Sequence, residues 1–382
     1  MEYTLVLPPE IEYHLTQRFT SIGATAAMNE EHSGNTSIAT EDLPLVVGVD
    51  LGGTQMRTAV LRGTHLLSRV GSLTGENPTP ERMIPRTMRA IEQALDQAGV
   101  SLDQIAGIGV AMPGPINSYT GVVYSPPNLP GWDNVPLRDI FNQQFNIPVF
   151  VENDANTAAL GEYIFGAGRG TKNMVYMTIS TGIGGGIIID GKIMEGASGM
   201  GGELGHMTVD WRGERCTCGN IGCLERIASG TAIALRANEL IAQGKGADLL
   251  TFAVSHAEHS PADTSPDHAA QSPLHISART VALAAAAGIP TAQEIIARAA
   301  EALGVGLVNI IHIFNPEMII LGGGLTQMGP LLLDPAKRLV QERTMHVPFK
   351  AVRIVLAQLG HDVGLVGAGA LIYYQYSLRR AA

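Results

Sequence analysis

Short apolar runs in the chain alternate with longer stretches that have the spacing of amphipathic helices. The run at 45–50 predicts a strand, Gly52 and Gly53 break it, and 58–61 predicts the returning strand of a hairpin. Apolar residues at every third or fourth position predict a helix over Pro80–Ala98. Buried strands are also predicted at 105–112, 148–151 and 318–321.

A second hairpin of the same kind is predicted farther along the chain. Residues 174–180 form its first strand, 181–186 a glycine-rich turn, and 187–190 the returning strand. Two such hairpins predict two related α/β lobes, with both glycine turns facing a shared cleft. We place the N-terminal lobe at 44–152 and the larger C-terminal lobe at 153–362.

Two segments have no sustained periodicity. Residues 1–43 end in a small, polar stretch and are expected to form a flexible extension. Residues 255–277 are rich in Ser, His, Ala and Pro, which predicts a flexible loop. A metal-binding histidine tract is the alternative for this loop, but irregular spacing and prolines disfavour it.

Composition narrows the classes of function. With 35 acidic against 25 basic residues, the net charge of −10 disfavours a surface for nucleic acid or anionic lipid. The N-terminus lacks a basic start with an apolar block, and no uninterrupted apolar run approaches the ~18–20 residues of a membrane span. Three clustered cysteines argue against a disulfide framework. We therefore expect a cytoplasmic protein without nucleic-acid or membrane partners.

The two glycine turns are candidate phosphate sites. Asp50 stands at a strand end, Gly52 and Gly53 expose backbone N–H groups, and Thr54 adds a hydroxyl. Such a turn suits a nucleotide whose Mg²⁺ is held by Asp50. The turn at 181–186 would supply a second cradle; the alternative is that both are simply tight hairpins. Neither a dinucleotide G-x-G-x-x-G nor a P-loop motif is complete.

The segment Glu152-Asn153-Asp154-Ala155-Asn156 follows a predicted strand and precedes an alanine-rich helix. A short polar side chain here suits a helix cap. The alternative is that Asp154 is a fixed carboxylate that accepts a proton from an attacking hydroxyl.

All three cysteines of the chain lie in the sequence CTCGNIGCLE, at Cys216, Cys218 and Cys223. A closed structural zinc site needs four ligands, and His206 is the obvious fourth. A loop fixed by zinc would hold Glu203 and Glu225 in set directions. Two carboxylates aimed at one place suit the vicinal hydroxyls of a sugar.

Together these motifs resemble the ROK family (repressors, open reading frames and kinases), within which the chain is most similar to bacterial glucokinases. The similarity extends from about Leu45 to Tyr374, and Pro127-Asn-Leu-Pro-Gly-Trp132 is a further match. Leu359-Gly-His-Asp-Val-Gly-Leu365 is another match, in which His361 stands where the family more often has Asp. The resemblance implies a two-lobed actin-like ATPase fold (ribonuclease H-like) with a structural zinc loop over 203–225. It also implies a homo-oligomer, a dimer or tetramer, and we expect helix 363–382 to join the N-terminal lobe.

The resemblance also implies roles for individual residues. Asp154 would be the catalytic base, and Mg²⁺-ATP and structural Zn²⁺ the cofactors. Sugar-binding residues would be Asn128, Asn153, Asp154, Glu203, His206 and Glu225. Nucleotide-binding residues would be Asp50, Gly52, Gly53, Thr54, Thr181, Gly182, Gly184 and Gly323. Zinc ligands would be His206, Cys216, Cys218 and Cys223.

The implied reaction is phosphorylation of glucose at its 6-hydroxyl by ATP. Mannose, N-acetylglucosamine and N-acetylmannosamine stay open as substrates, and so does polyphosphate as donor. A sugar-responsive repressor is the alternative from another class. Residues 1–43 contain one basic residue, Arg18, against seven acidic ones, which disfavours DNA binding by that segment.

Overall fold

The computed structural model describes residues 42–126, 129–257 and 276–381. The strands are β1 (Leu45–Leu51), β2 (Gln55–Arg62), β3 (His65–Leu66), β4 (Val70–Leu73), β5 (Ile105–Met112), β6 (Ile116–Asn117), β7 (Val122–Val123), β8 (Val135–Pro136), β9 (Val149–Asn153), β10 (Met174–Ile179), β11 (Ile183–Ile189), β12 (Lys192–Ile193), β13 (Met318–Gly322) and β14 (Arg353–Leu356). The helices are α1 (Pro80–Ala98), α2 (Leu137–Phe145), α3 (Asp154–Phe165), α4 (Glu225–Ala228), α5 (Gly230–Ala242), α6 (Ala247–Ala257), α7 (Ala278–Ala286), α8 (Pro290–Phe314), α9 (Pro330–Arg343), α10 (His346–Ala351) and α11 (Val363–Ala381). Short 3-10 turns occupy Leu102–Gln104, Leu204–His206, Gly324–Met328 and Gly360–Asp362.

The chain forms two compact units. The first contains the described residues up to 170, together with 193–201 and 358–381, and the second contains 171–192 and 202–357. The observed division falls after Gly170, later than the predicted boundary at 152, because α3 packs extensively against α11 of the first unit. The C-terminal helix lies in the first unit.

The first unit is built on a sheet with strand order β3-β2-β1-β5-β9. β1 pairs antiparallel with β2 and parallel with β5, and β5 pairs parallel with β9. Nearly every residue of β1 and β5 is buried, which is typical of parallel strands covered on both faces. The predicted helix at Pro80–Ala98 is confirmed as α1, and it buries its apolar face in the core on this sheet.

The second unit repeats this topology. Its sheet has the order β12-β11-β10-β13-β14, in which β10 pairs antiparallel with β11 and parallel with β13. β13 then pairs parallel with β14. Each unit thus begins with a hairpin whose first strand lies at the centre of a five-strand path, so the prediction of two related α/β lobes is confirmed.

Close packing of α11 on the first sheet depends on glycines. A Cβ at Gly109 would overlap the backbone of Ala368, and one at Gly48 would lie 2.5 Å from the carbonyl oxygen of Leu365. Gly369 on α11 meets Leu61 in the same way. Because these positions lack side chains, the helix can lie directly on the central strands.

Some predicted boundaries shift. The second glycine turn was predicted over 181–186, but β11 already begins at Ile183, so most of these glycines are strand residues. The prediction was wrong because an unbroken glycine run has no side-chain pattern that marks a strand. The predicted loop at 255–277 begins with the end of α6, whereas 258–275 and the extension at 1–41 lie outside the described residues.

Among the described helices, only α8 has the length and apolar composition of a membrane span, with a mean hydropathy of 1.4. Within that window, 67% of the residues are buried inside the structure, which is the pattern of a core helix. Leu303 and Leu307 on this helix have no exposed surface.

Candidate functional site

Asp50 lies at the end of β1, where the first glycine turn begins. Arg57 on β2 faces it: Nε lies 3.0 Å from Asp50 Oδ2, and Nη2 donates to the same oxygen. Arg57 Nη1 also donates to the backbone carbonyl of His361, at 2.8 Å. Gly364, in the first turn of α11, has no room for a side chain beside the Asp50 carboxylate. The ion pair therefore fixes Oδ2, and Asp50 Oδ1 is left for another partner.

The glycine turn itself is short. The N–H of Gly52 donates to the carbonyl of Gln55 at 2.8 Å, and the Thr74 hydroxyl donates to the Gly52 carbonyl at 2.7 Å. Thr54 is exposed, and Gly53 is partly exposed. The turn thus presents a hydroxyl and backbone groups at the end of β1.

The second candidate cluster of this unit lies where β9 passes into α3. Asn153 is the N-cap, and its Oδ1 accepts from the N–H of Ala155 at 2.8 Å and of Asn156 at 3.3 Å. Asp154 is the first helical residue; its Oδ1 accepts from Ala155 N–H at 2.8 Å, and its side chain is exposed. Capping is therefore the role of Asn153, which leaves Asp154 at the helix N-terminus as an accessible carboxylate.

Both clusters lie at the same edge of the sheet. Asp50 is in register with Ala111 of β5, and Ala111 with Glu152 of β9. Two strand spacings of ~4.8 Å separate β1 from β9 at this level, which is about 10 Å. The carboxyl ends of parallel strands are where α/β proteins bind ligands. Asp50 and Asp154 thus border one ligand-sized edge.

In the second unit, the β10–β11 hairpin holds a carboxylate at its tip. Ile183 N–H donates to Glu225 Oε2 at 2.8 Å, and a Cβ at Gly182 would lie 2.6 Å from that oxygen. Thr181 is exposed beside it. Gly323 follows β13 with a φ of 87°, and a side chain there would clash with the Ile179 backbone. Glycine is therefore required at 323, whereas at 182 it leaves room for the Glu225 carboxylate.

Glu203 and His206 lie against the same hairpin. The 3-10 turn between them packs on it, since a Cβ at Gly205 would overlap the Ile183 carbonyl. Burial and the nearby charge of Glu225 raise the pKa of Glu203, and the neighbouring His206 opposes this rise. Glu203, His206 and Glu225 therefore lie close enough for their charges to interact.

The three cysteines and His206 form a group whose ligand atoms all lie within 4.8 Å of one another. Cys216 Sγ lies 3.8 Å from His206 Nδ1, and Cys218 Sγ lies 3.7 Å from Cys223 Sγ. A tetrahedral zinc with Zn–S bonds of ~2.3 Å has an S···S edge of about 3.8 Å, so these residues fit the ion.

The loop geometry supports this site. Gly219 and Gly222 both have positive φ, 95° and 68°, so the chain can turn back towards His206. A Cβ at Gly222 would overlap the Asp210 carbonyl, which makes glycine necessary there. Asn220 Nδ2 donates to the His206 carbonyl at 3.1 Å and lies 3.5 Å from Cys223 Sγ, which ties the two ends of the site together.

Of the predicted site residues, Asn128 lies outside the described residues. The sequence patterns did not assign a role to two residues of these clusters, Arg57 and Glu152. Arg57 was missed because it acts through cross-strand pairing with Asp50, a register that the hairpin pattern alone could have suggested. Glu152, immediately before the predicted cap and base, is 2% exposed, and burial raises its pKa to about 7. His361, the departure from the family pattern, contributes its backbone carbonyl to Arg57, so its side chain is not used in this contact.

Similarity to known proteins identifies the family to which this architecture belongs. The sequence model of the ROK family matches residues 46–374. A glucokinase of Halalkalibacterium halodurans is 35% identical over 86% of this chain and 95% of its own length. A xylose repressor of Caldicellulosiruptor bescii is 31% identical over 87% of this chain and 79% of the repressor.

A solved ROK family glucokinase from Streptomyces griseus, in complex with glucose and AMPPNP, matches with a TM-score of 0.68 and 33% identity. The match covers 86% of this chain and 98% of that one. The chain therefore belongs to the ROK family, and the predicted actin-like ATPase fold is confirmed.

Proposed function

We propose that this protein transfers the γ-phosphoryl group of ATP to the 6-hydroxyl of glucose, giving glucose 6-phosphate. One observation carries the proposal: the exposed carboxylate of Asp154, at a helix N-terminus, shares a sheet edge with the Asp50 glycine turn. The similarity to glucokinases, one of them solved with glucose and AMPPNP, supports the choice of substrates.

Asp154 is the proposed general base. Its side chain is accessible, and capping of α3 is carried by Asn153, so the carboxylate can accept the proton of the attacking hydroxyl. Phosphoryl transfer asks mainly for alignment and charge neutralisation, with proton acceptance late in the step.

The glycine turn after β1 is the proposed triphosphate site, together with Thr181, Gly182 and Gly184 of the second unit and Gly323 near the adenosine. Asp50 would hold hydrated Mg²⁺, which neutralises phosphate charge when bound. The arrangement of Asp50 fits this role: Oδ2 is occupied by Arg57, whereas Oδ1 has no hydrogen-bond partner among the described residues.

For the sugar we propose Asn128, Asn153, Glu203, His206 and Glu225. Glu225 Oε2 accepts from Ile183 N–H, which orients the carboxylate, and Oε1 is the oxygen for a sugar hydroxyl. His206 directs Nδ1 towards Cys216, so Nε2 is the atom for a second hydroxyl. Structural zinc in the Cys₃His group would fix these directions.

A related kinase for mannose, N-acetylglucosamine or N-acetylmannosamine would use the same residues. A sugar-responsive repressor is the second candidate function, because a xylose repressor is 31% identical to this chain. We also propose that the protein is cytoplasmic and forms a homodimer or homotetramer.

A coupled assay with a panel of hexoses and with ATP or polyphosphate tests the proposal. The expected result is turnover with ATP and glucose, and glucose preferred over the other sugars. Absence of turnover with every sugar and donor, in zinc-loaded protein that binds glucose by calorimetry, would overturn it and favour the repressor.

A further inference from the structure

Glu152 occupies an unusual position, directly before Asn153 and Asp154 at the end of β9. Its side chain is almost completely buried, with 2% exposure. Oε1 accepts from the backbone N–H of Asn153 at 2.8 Å and from Asn156 Nδ2 at 3.0 Å. Asn156 is also buried, with 1% exposure. One carboxylate oxygen thus connects the last residue of the strand to the first turn of α3.

These contacts surround Asp154. The Asn153 peptide before it is held by Glu152, and the Asn156 side chain after it is held by the same oxygen. Asn153 in turn caps the helix through its own Oδ1. The direction of the Asp154 side chain follows from the backbone at this junction, so it depends on Glu152.

The surroundings of Glu152 do not neutralise its charge. Among the described residues, no Lys or Arg forms an ion pair with it. Glu195, whose charge acts on Glu152, is itself acidic, and Tyr119, Tyr163, Tyr374 and the following Asp154 are further titratable groups of this region. Burial and the Glu195 charge raise the pKa of Glu152 to about 7, whereas its two hydrogen bonds lower it.

A buried carboxylate without a cation destabilises a fold, and an apolar residue would fill this position at lower cost. An ionised carboxylate accepts stronger hydrogen bonds than a neutral group. The gain is therefore a tighter hold on the Asn153 N–H and the Asn156 amide, which is useful where the backbone must orient a reacting group.

We propose that Glu152 is a positioning residue, which holds the strand–helix junction through Asn153 and Asn156 and thereby directs the Asp154 carboxylate towards the acceptor hydroxyl. The inference rests on the proposed function, in which Asp154 is the general base. It adds a residue that contacts neither substrate.

Two substitutions test it. Glu152→Ala leaves the Asn153 N–H and the Asn156 amide without their acceptor, and kcat should fall about 100-fold, the size expected for a misplaced catalytic group. Glu152→Gln keeps the shape and an accepting oxygen, so kcat at pH 8 should recover to within about tenfold of the original chain. The KM for ATP should stay within about threefold in both variants, since the glycine turns are unchanged.

The pH profile separates positioning from mere structural support. In the original chain, protonation of Glu152 should lower kcat as the pH falls through about 7. This inflection should be missing in Glu152→Gln. Glu162→Gln is the matched control, because Glu162 is equally buried on α3 but accepts from the N–H groups of Ala167, Gln358 and Leu359. It should keep the neutral inflection.

Stability gives an independent measurement. The pKa of Glu152 is raised from 4.5 to about 7 on folding, so the folded state retains the proton longer than the unfolded chain. The contribution of this group to stability therefore falls as pH rises from about 4.5 to 7 and is constant above. The difference in melting temperature, Glu152→Gln minus the original chain, should therefore increase as the pH is raised from about 4.5 to 7.

A folded Glu152→Ala variant with unchanged kcat would overturn the inference, and so would a neutral inflection that persists in Glu152→Gln. Asp154→Asn, measured in parallel, distinguishes the two levels. If Asp154→Asn keeps full turnover, the proposed function itself has failed; if only the Glu152 variants behave normally, the positioning role alone has failed.

Discussion

Equivalent positions in the two sheets carry different chemistry. In the first unit, Asp50 pairs across the hairpin with Arg57 and on its other side with Ala111. In the second, the residue at the same place in the strand is Thr178, flanked by Gly184 and Gly322.

The hairpins also close differently. Leu51 pairs with Met56 around a turn that contains Gly52 and Gly53, whereas Ile179 pairs with Ile183 around a tighter turn. Glu225 lies at the tip of this second hairpin, where its carboxylate accepts from Ile183 N–H. In the first unit, this topology therefore carries the Asp50–Arg57 ion pair beside a longer turn. In the second unit, it carries a turn whose N–H donates to the Glu225 carboxylate, together with the Cys₃His group.

The two sheets share a topology, and the segments at their ends differ in chemistry. The first unit carries the exposed Asp154 carboxylate at the β9–α3 junction, and the second carries the 203–225 segment. We therefore expect substitutions at Asp50 and Asp154 to affect ATP use and catalysis, and those in the 203–225 segment to affect the sugar.

The largest effect is expected from Asp154→Asn. The amide keeps the size of the side chain but cannot accept the proton, so kcat should fall by ~10²–10⁴-fold while glucose affinity stays within about tenfold. Turnover in a coupled assay and calorimetry with glucose measure the two quantities.

Asp139→Asn is the control for this change. Asp139 is also an acidic residue in the first turn of a helix, α2, but it pairs with Arg138 at the surface. It should leave kcat unchanged. If both variants behave alike, Asp154 has only a helix-terminal role.

Zinc removal should affect the second unit alone. Cys218→Ser replaces a thiolate with a poor zinc ligand, so the protein should lose its roughly one equivalent of zinc per chain. Glucose affinity should then fall by more than about tenfold, because Glu203 and His206 lose their fixed directions. ATP affinity should change much less.

Metal analysis and calorimetry check this prediction. Thr217→Ser, a change between two ligands of the same loop, is the control and should retain zinc. A Cys218→Ser protein that is free of zinc but binds glucose normally would break the link between metal loop and sugar site.

Much of this arrangement is encoded locally in the sequence. The β1–β2 hairpin and the Cys₃His spacing each depend on short-range patterns, and α1 has the boundaries that its periodicity predicts. The Arg57–Asp50 pair follows from the register of the hairpin, whereas the Glu152 contacts depend on burial at the strand–helix junction, which no local pattern of the sequence marks. The start of β11 was missed for the related reason that glycines carry no pattern.

Arg57 distinguishes the two hairpins, because the second unit has Gly184 at the equivalent position. Arg57→Met frees Asp50 Oδ2 and releases the contact to the His361 carbonyl. The KM for Mg²⁺-ATP should rise about tenfold, since a partly buried carboxylate loses the partner that orients it. Glucose affinity should be unchanged.

Arg69→Met is the matched control, since Arg69 also pairs with an aspartate, Asp362, at 3.0 Å, but at a more exposed position. Surface pairs of this kind contribute little, so its steady-state constants should match those of the original chain. Equal effects of the two substitutions would contradict a special role for the Asp50 pair.

The smallest effect is expected from removal of the N-terminal extension. A chain that begins at Glu41 retains Leu43, which is 6% exposed and packs with Val46 and Leu365 in the core around α11. No proposed binding or catalytic residue lies before Asp50, so kcat should stay within about threefold and the KM values should not change.

A chain that begins at Pro44 is the informative second variant: it also lacks Leu43, so its melting temperature should fall while kcat per folded molecule persists. If the chain that begins at Glu41 lost more than about tenfold in kcat but kept its melting temperature, residues 1–40 would be shown to take part in the reaction.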